Sequence, residues 1–253
     1  MKNPRSILIT GASSGIGEAL ALSYAKPGVF LALSGRNKKR LEAIVEKCRE
    51  KGADVKGDIV DVADMAAMRV WIEESDRYNP LQLVVANAGI SGAETGGKSD
   101  EKITRDIFSV NMAGVLNTLF PAIEAMRGRQ CGQIAMISSM AGFRGMPSAP
   151  AYSTSKVMVK AYGEALHGPL GKDGIGISII CPGFVESRIT AKNTFKMPMI
   201  MTAEEASIKI RKGLEKNRLL IAFPWPMVLF MWLLNLLPPC WANKLLNRLP
   251  RKG

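Results

Sequence analysis

Tyr152 and Lys156 stand four residues apart, at the start of a helical run that continues through Leu166. Four residues is close to one helical turn, so the two side chains share a face. A free tyrosine titrates near ~10, too high to exchange protons well at neutral pH. A lysine ammonium a few ångströms away stabilises the phenolate and lowers that value. Ser139 ends the apolar run Ile134–Ser138, thirteen residues before the tyrosine. Its hydroxyl can hydrogen-bond a substrate oxygen as charge develops there. The three residues together read as proton transfer to or from an oxygen. The tyrosine–lysine pair by itself also fits a half-buried tyrosine beside a solvated lysine.

A second group of residues decides between these readings. Thr10-Gly11-Ala12-Ser13-Ser14-Gly15-Ile16-Gly17 follows an apolar run and opens a helix expected through Lys26. Glycines at Gly11, Gly15 and Gly17 let the backbone turn tightly and approach a pyrophosphate, which sits over unpaired N–H groups at the helix start. Ser13, Ser14 and Ile16 lie in the same turn. The spacing is G-x-x-x-G-x-G, not the commoner G-x-G-x-x-G, and a plain strand-to-helix turn is the bland alternative. The next apolar run ends Ser34-Gly35-Arg36-Asn37. An acid here would bind a ribose 2′-OH and favour NAD(H), whereas an arginine can pair with the 2′-phosphate of NADP(H). With no acid at Ser34, Gly35 or Arg36, NADP(H) is expected over NAD(H), although a solvated arginine at a helix start would look the same.

These groups need a scaffold, and the rest of the sequence supplies its pattern. Apolar runs fall at Ile7–Thr10, Val29–Leu33, Val55–Ile59, Leu83–Ala86, Ile134–Ser138, Ile177–Cys181 and Leu219–Ala222. Helical patterns such as Lys38–Lys51 and Asp64–Tyr78 lie between them, with apolar residues recurring at three and four. Strands apolar throughout and joined by helices predict an α/β protein, a Rossmann-like, doubly wound parallel sheet of about seven strands. Residues 1–223 would form this domain. Residues 224–253 break the rhythm and read as an apolar, basic helical appendage, not a second domain.

In the residues quoted so far the chain resembles the short-chain dehydrogenase/reductase family, from Ile7 to about Ala222. Asn87-Ala88-Gly89, Asn111, Ser138-Ser139 and Pro182-Gly183 complete the resemblance, in the family's order and at its spacing. It implies that Tyr152 is the acid/base, that Lys156 holds the nicotinamide ribose and tunes Tyr152, and that Ser139 orients the carbonyl. Asn111 would anchor a water leading from Lys156 to solvent. Asn87, Ala88 and Gly89 would line the cofactor cleft, and Asp61 and Val62 would contact adenine. Pro182, Gly183 and Val185 would lie against the nicotinamide, with the Ser187 hydroxyl at its carboxamide. Arg36 matches the family's NADP-preferring pattern, while Ser14 offers no second cation. The segment after the Pro-Gly turn, about Arg188–Met201, carries Phe195, Met197, Met199, Ile200 and Met201. Either it forms an adaptable apolar substrate pocket or it is an ordinary packed loop and helix.

Bulk properties narrow the remaining choices. The chain is 47% hydrophobic and 22% charged, ordinary for a globular enzyme. No signal-peptide core opens it, so a cytoplasmic location is expected. Cys48, Cys131, Cys181 and Cys240 are scattered without metal-ligand spacing, and no metal is expected. His167, the single histidine, reads as an ordinary residue at a helix end, and no G-x-S-x-G elbow supports a hydrolase. Of the net charge of +12, +9 falls in residues 188–253, interleaved with apolar residues and without a nucleic-acid-reading motif. A nucleic-acid partner is therefore not expected.

The run Met227–Leu237 is too short to span a bilayer, which takes about twenty residues. Trp241, Leu245, Leu246 and Leu249 could share a face opposite Asn243, Lys244, Asn247 and Arg248. Trp225, Trp232 and Trp241 lie in this tail, with Arg248, Arg251 and Lys252 behind them. The composition suits peripheral contact with anionic lipid; a hairpin packed on the core, a lid or a subunit interface are the alternatives. The expected activity is NADP(H)-dependent hydride transfer at a carbonyl or secondary alcohol of an apolar or amphipathic small molecule. The family implies a homo-oligomer, a dimer or tetramer. A non-enzymatic nucleotide-binding scaffold and a peripheral membrane reductase of lipid-like substrates are the competing readings.

Overall fold

Every apolar run becomes a strand in the computed structural model, which describes residues 1–92, 100–192 and 197–246. The strands are β1 (Ser6–Ile9), β2 (Phe30–Ser34), β3 (Asp54–Asp58), β4 (Leu83–Ala86), β5 (Gly132–Ile137), β6 (Ile175–Pro182) and β7 (Leu220–Phe223). Their ends fall within one or two residues of the sequence expectation. They form one sheet in the order β3-β2-β1-β4-β5-β6-β7, with every neighbouring pair parallel. The chain therefore has the Rossmann-like doubly wound fold.

Successive strand residues point to opposite faces, and both faces are apolar. Ile7, Ile9, Leu31 and Leu33 pack under α1 (Gly15–Tyr24), α2 (Lys38–Glu50) and α7 (Ala203–Glu215). Leu8, Ala32, Val84 and Ile134 face the other way, against α3 (Met65–Tyr78), α5 (Gly114–Arg127) and α6 (Pro150–Lys172). A further helix, α4 (Asp100–Phe108), passes into α5 through a π-helical turn at Ser109–Ala113. The continuous stretch Glu101–Arg127 is long and apolar enough to cross a membrane, but half of its most apolar window is buried in the protein, as in a core helix.

Three helix starts carry side-chain caps. The Asn37 side chain accepts from Arg40 N at 3.0 Å to cap α2, and Asp64 accepts from Ala67 N at 3.0 Å to cap α3. Thr202 and Glu205 form a reciprocal capping box on α7. Ser14, the residue before α1, makes no side-chain capping bond.

α6 runs further than expected. It passes through His167, Gly168 and Pro169 to Lys172, with Leu170 buried in the core as the anchor of its last turns. His167 is thus inside a helix and not at its end. After β7 come α8 (Trp225–Leu236) and α9 (Pro239–Leu246), a pair of helices whose inner residues Met231, Leu234, Ala242 and Leu246 meet Met140 of the body. Arg144 donates to Leu234 O at 3.1 Å, at the end of α8. The expected single apolar face of the last helix divides, because Ala242 and Leu246 turn inward against α8 while Trp241 and Leu245 stay exposed. Asn247, Arg248, Leu249, Arg251 and Lys252 lie outside the described residues.

α6 approaches the sheet closely at Gly163. A Cβ there would sit 2.7 Å from Ile179 Cγ1. Gly163→Val is therefore expected to push α6 off β6 and destabilise the protein by roughly 2–3 kcal/mol, measured as a fall in the urea midpoint with an unchanged slope.

Candidate active site

A cleft of about 530 Å³ opens at the carboxyl ends of the strands, where the order reverses between β1 and β4. In a doubly wound sheet this is where the backbone loops diverge and leave room for a ligand. Thr10 and Asn87 tie the two strand ends together. Thr10 Oγ1 accepts from Asn87 N at 3.0 Å and Ala88 N at 3.1 Å, and Asn87 Nδ2 donates to Thr10 O at 2.9 Å and Gly11 O at 3.1 Å.

One half of the cleft is the glycine turn. Gly11, Ser13, Ser14, Gly15 and Ile16 line it, with the uncapped start of α1 behind them. Gly11 and Gly15 have φ of +66° and +58°, a region other residues enter at a cost. Gly17 is buried and does not line the cleft. A Cβ on it would meet Gly11 O and Asn87 Nδ2 at 2.5 Å, so it serves the close seating of α1. Opposite, Val185 and Ser187 close over the turn, and Thr190 fixes them: its Oγ1 donates to Val185 O at 2.8 Å and accepts from Ser187 N at 2.8 Å. Pro182, Gly183, Asn87, Ala88 and Gly89 also line the cleft.

Arg36 lies at the end of β2 beside the glycine turn, exposed and lining the cleft. Arg40, one helical turn on, lines it too, and its Nε is buried without a hydrogen-bond partner. The adenine pair divides. Val62 faces the cleft, while Asp61 points to solvent and accepts from Ala63 N at 3.0 Å.

The other half holds Ser139, Tyr152 and Lys156. Ser139 caps the short turn Met140–Gly142, its Oγ accepting from Ala141 N at 3.1 Å. The hydroxyl retains its capacity to donate a hydrogen bond. Lys156 is 4% exposed, donates from Nζ to Ile137 O at 2.9 Å, and lies 5.7 Å from the centre of the Tyr152 ring. Burial pushes its ammonium down from 10.5 to about 8. Ser138 holds the lysine's own backbone, its Oγ donating to Lys156 O at 2.7 Å.

Asn111 is fully buried in the π-helical turn and does not line the cleft. Its Oδ1 accepts from Ile90 N at 2.8 Å, and its Nδ2 donates to Ile90 O at 3.0 Å and Ser155 Oγ at 3.0 Å. It therefore clamps the Asn87–Ile90 segment to the helix that carries Tyr152 and Lys156. A Cβ on Gly89 would stand 3.3 Å from Asn111 Oδ1 and 3.5 Å from Lys156 Nζ, so the three groups converge.

The sequence profile of the short chain dehydrogenase family matches residues 5–197. This protein is a short-chain dehydrogenase. An uncharacterized oxidoreductase of Myxococcus xanthus is 34% identical over 236 residues, covering 92% of this chain and 93% of its own. The 11-beta-hydroxysteroid dehydrogenase-like 4A of Arabidopsis thaliana is 30% identical over 255 residues, covering 96% and 84%. Among solved structures, a short-chain dehydrogenase of Sphingobium yanoikuyae in complex with NADPH superposes with a TM-score of 0.80, at 23% identity, over 98% of this chain and 97% of its own. A short chain dehydrogenase/reductase of Burkholderia phymatum in complex with NAD gives 0.81, also at 23% identity, over 98% and 96%. The chain is thus an oxidoreductase acting between CH–OH and C=O with a nicotinamide cofactor.

Within this dehydrogenase, the described residues of the segment after the Pro-Gly turn divide between contact and exposure. Met201 pairs with Val185 and packs on the core, Met199 and Ile200 are exposed, and Phe195 lies outside the described residues. Sequence reasoning missed Arg40 and Thr190. Both were legible in spacing: Arg40 falls four residues after Arg36, and Thr190 three after Ser187.

The unpaired Lys156 charge carries a stability cost. Below pH 8 the folded lysine is charged and desolvated, and the penalty is full. Between about 8 and 10.5 the unfolded chain holds the extra proton, so stability rises with pH. That shift corresponds to ~3 kcal/mol at pH 7, less about 1 for the lost bond to Ile137 O. Lys156→Met should stabilise the apoprotein to urea by about 2 kcal/mol at pH 7. The gain over wild type should shrink as pH approaches 10.5.

Proposed function

We propose that this dehydrogenase reduces the carbonyl of an apolar or amphipathic small molecule with NADPH, Tyr152 supplying the proton. The observation that carries the reading is the buried Lys156 cation, held by a main-chain carbonyl beside the Tyr152 ring in the cleft that Ser139 also lines. A buried ammonium without a carboxylate is costly as a structural element, and it is what stabilises negative charge on a neighbouring tyrosine oxygen.

The cleft fits a dinucleotide. Its glycine turn leaves the start of α1 uncapped for phosphate, and Arg36 and Arg40 form a two-cation site beside it. The buried, unpartnered Nε of Arg40 is a donor suited to a phosphate oxygen. Among the described residues no acid lines this corner to take a 2′-OH, and this supports NADP(H) over NAD(H). Lys156 and the Pro182–Val185 turn would hold the nicotinamide end, where the bound cofactor supplies hydride.

At the reacting carbonyl, Ser139 Oγ donates a hydrogen bond to the oxygen. Tyr152 passes its phenolic proton to that oxygen as the alcohol forms. Lys156 stabilises the phenolate left behind until solvent returns the proton, and Asn111 positions both by clamping Ser155 and Ile90. The substrate class rests on a methionine cluster next to the site. Met140 follows Ser139 directly and packs with Met146, Met227 and Met231. Such side chains adapt to varied apolar ligands, and the Arabidopsis relative is named for a hydroxysteroid.

Tyr152→Phe should lower kcat by roughly 10²–10⁴-fold while NADPH binding, followed by fluorescence titration, stays near wild type. A variant that keeps its turnover would remove Tyr152 from the mechanism. In the same titration, Arg36→Ala and Arg40→Ala should each weaken NADPH about tenfold or more and leave NADH unchanged. Equal affinity of the wild type for NADPH and NADH would refute the two-arginine site.

A further inference from the structure

α8 is apolar on both sides. Its inner side, Met231 and Leu234, packs on the body. Its outer side carries Trp225, Leu229, Trp232, Leu233 and Leu236, recurring at helical intervals opposite that contact, with exposures of 47–74%. Trp241 and Leu245 extend the surface onto α9, and the Trp225–Leu237 run holds no charged residue. Three tryptophans more than half exposed present on the order of 400 Å² of ring, as much as the largest apolar patch on ordinary monomers. A helix apolar all round is stable where its outer face is covered.

We propose that α8 and α9 dock this enzyme, lying in the plane of the interface, on an anionic lipid surface. Charge selects this occupant. From Lys216 onward the sequence has six Lys/Arg and no acid. A second copy would bring the same cation-rich tail against itself, whereas an anionic bilayer complements it. Tryptophan is the side chain that membrane interfaces favour, with its ring in the acyl boundary and its N–H in the headgroups. At twelve residues α8 is too short to cross, so it lies along the surface.

The platform also touches the substrate end of the site. Met140, next to Ser139, belongs to the same apolar cluster as α8. A Cβ on Gly183 would sit 3.0 Å from Met227 Sδ, so α8 abuts the Pro-Gly turn of the cleft. An apolar substrate dissolved in the bilayer therefore has a short apolar route to the carbonyl site. This last step rests on the proposed reductase reading; docking itself does not.

The test is flotation of the full-length protein with vesicles of phosphatidylcholine alone or of equimolar phosphatidylcholine and phosphatidylglycerol. Tryptophan quenching by brominated lipid is read in the same samples. Trp71 is buried in the body, so quenching reports the three platform tryptophans. Wild type should float with the anionic vesicles and be quenched, less so at high salt. Trp232→Gln combined with Leu236→Gln, both at exposed positions, should lower partitioning about tenfold or more with NADPH binding and Tm unchanged. Failure to float with either composition overturns the proposal, as does unchanged flotation of the double variant. So does a dimer in sedimentation velocity that the double variant dissolves, which would make the occupant a second copy. NADPH titration of the same samples separates loss of docking from failure of the cofactor reading.

Discussion

A lysine ammonium held away from water, with no carboxylate among the described residues to neutralise it, sets the terms for the rest of this active site. Lys156 is restrained at both ends, Nζ by Ile137 O and its own carbonyl by Ser138 Oγ. Asn111 binds Ser155, the residue before it, to the segment that runs past Gly89. Two of these restraints come from the end of β5 and the third from the π-helical turn, so the position of the charge is over-determined. That rigidity is what electrostatic catalysis needs, because a dipole or charge already in place costs no reorganisation when the reaction reaches its charged state. The same rigidity explains why a residue that lowers the stability of the empty protein can persist at its centre.

The sheet supplies the convergence. Parallel strands place all their carboxyl ends on one side, and the reversal of order between β1 and β4 splits the helices to opposite faces there. The glycine turn leaves β1, the Asn87–Ile90 segment leaves β4, Ser138 and Ser139 leave β5, and Pro182-Gly183 leaves β6. The Thr10–Asn87 hydrogen bonds then hold the opening at a fixed width. Seven short apolar runs and the helices between them are enough to force this arrangement. Accordingly, the fold was readable from periodicity before any motif was considered.

Residue roles were readable in proportion to how local their geometry is. Tyr152 and Lys156 lie on one helix, where spacing alone fixes their shared face, and the glycine turn is a contiguous strand-to-helix connection. Arg40 was equally local but passed over, because reading the cation at the strand end took no account of the next turn of α2. Asn111 shows the opposite limit. Its burial depends on a π-helical turn and on Ile90 and Ser155, one far along the chain on either side. Nothing in the residues around it announces that turn. In the 188–201 segment, with a methionine-rich composition that suits a pocket, Met201 packs against the core through its pairing with Val185 while Met199 and Ile200 stay exposed. Composition reports what a segment can touch, while register decides what it does touch.

The tail illustrates the same distinction at the surface. Its sequence allowed a packed hairpin, a lid, an interface or a lipid contact, because an apolar helix has no periodicity to show which side faces in. Packing removes that ambiguity for one face only. With Met231 and Leu234 committed to the body, the tryptophan and leucine stripe on the far side is left over, and it cannot be part of the same core. The cleft and the platform thus divide the chemistry between them. The arginines and the glycine turn make the cofactor side polar and open to water, where a charged dinucleotide is soluble. The methionine cluster beneath α8 joins Met140, next to Ser139, to the helix that carries the exposed stripe. On the proposed reading, an enzyme that joins a water-soluble hydride donor to an apolar acceptor needs both surfaces close to one carbonyl, and α8 approaches Gly183 through Met227 and Ser139 through the neighbouring Met140.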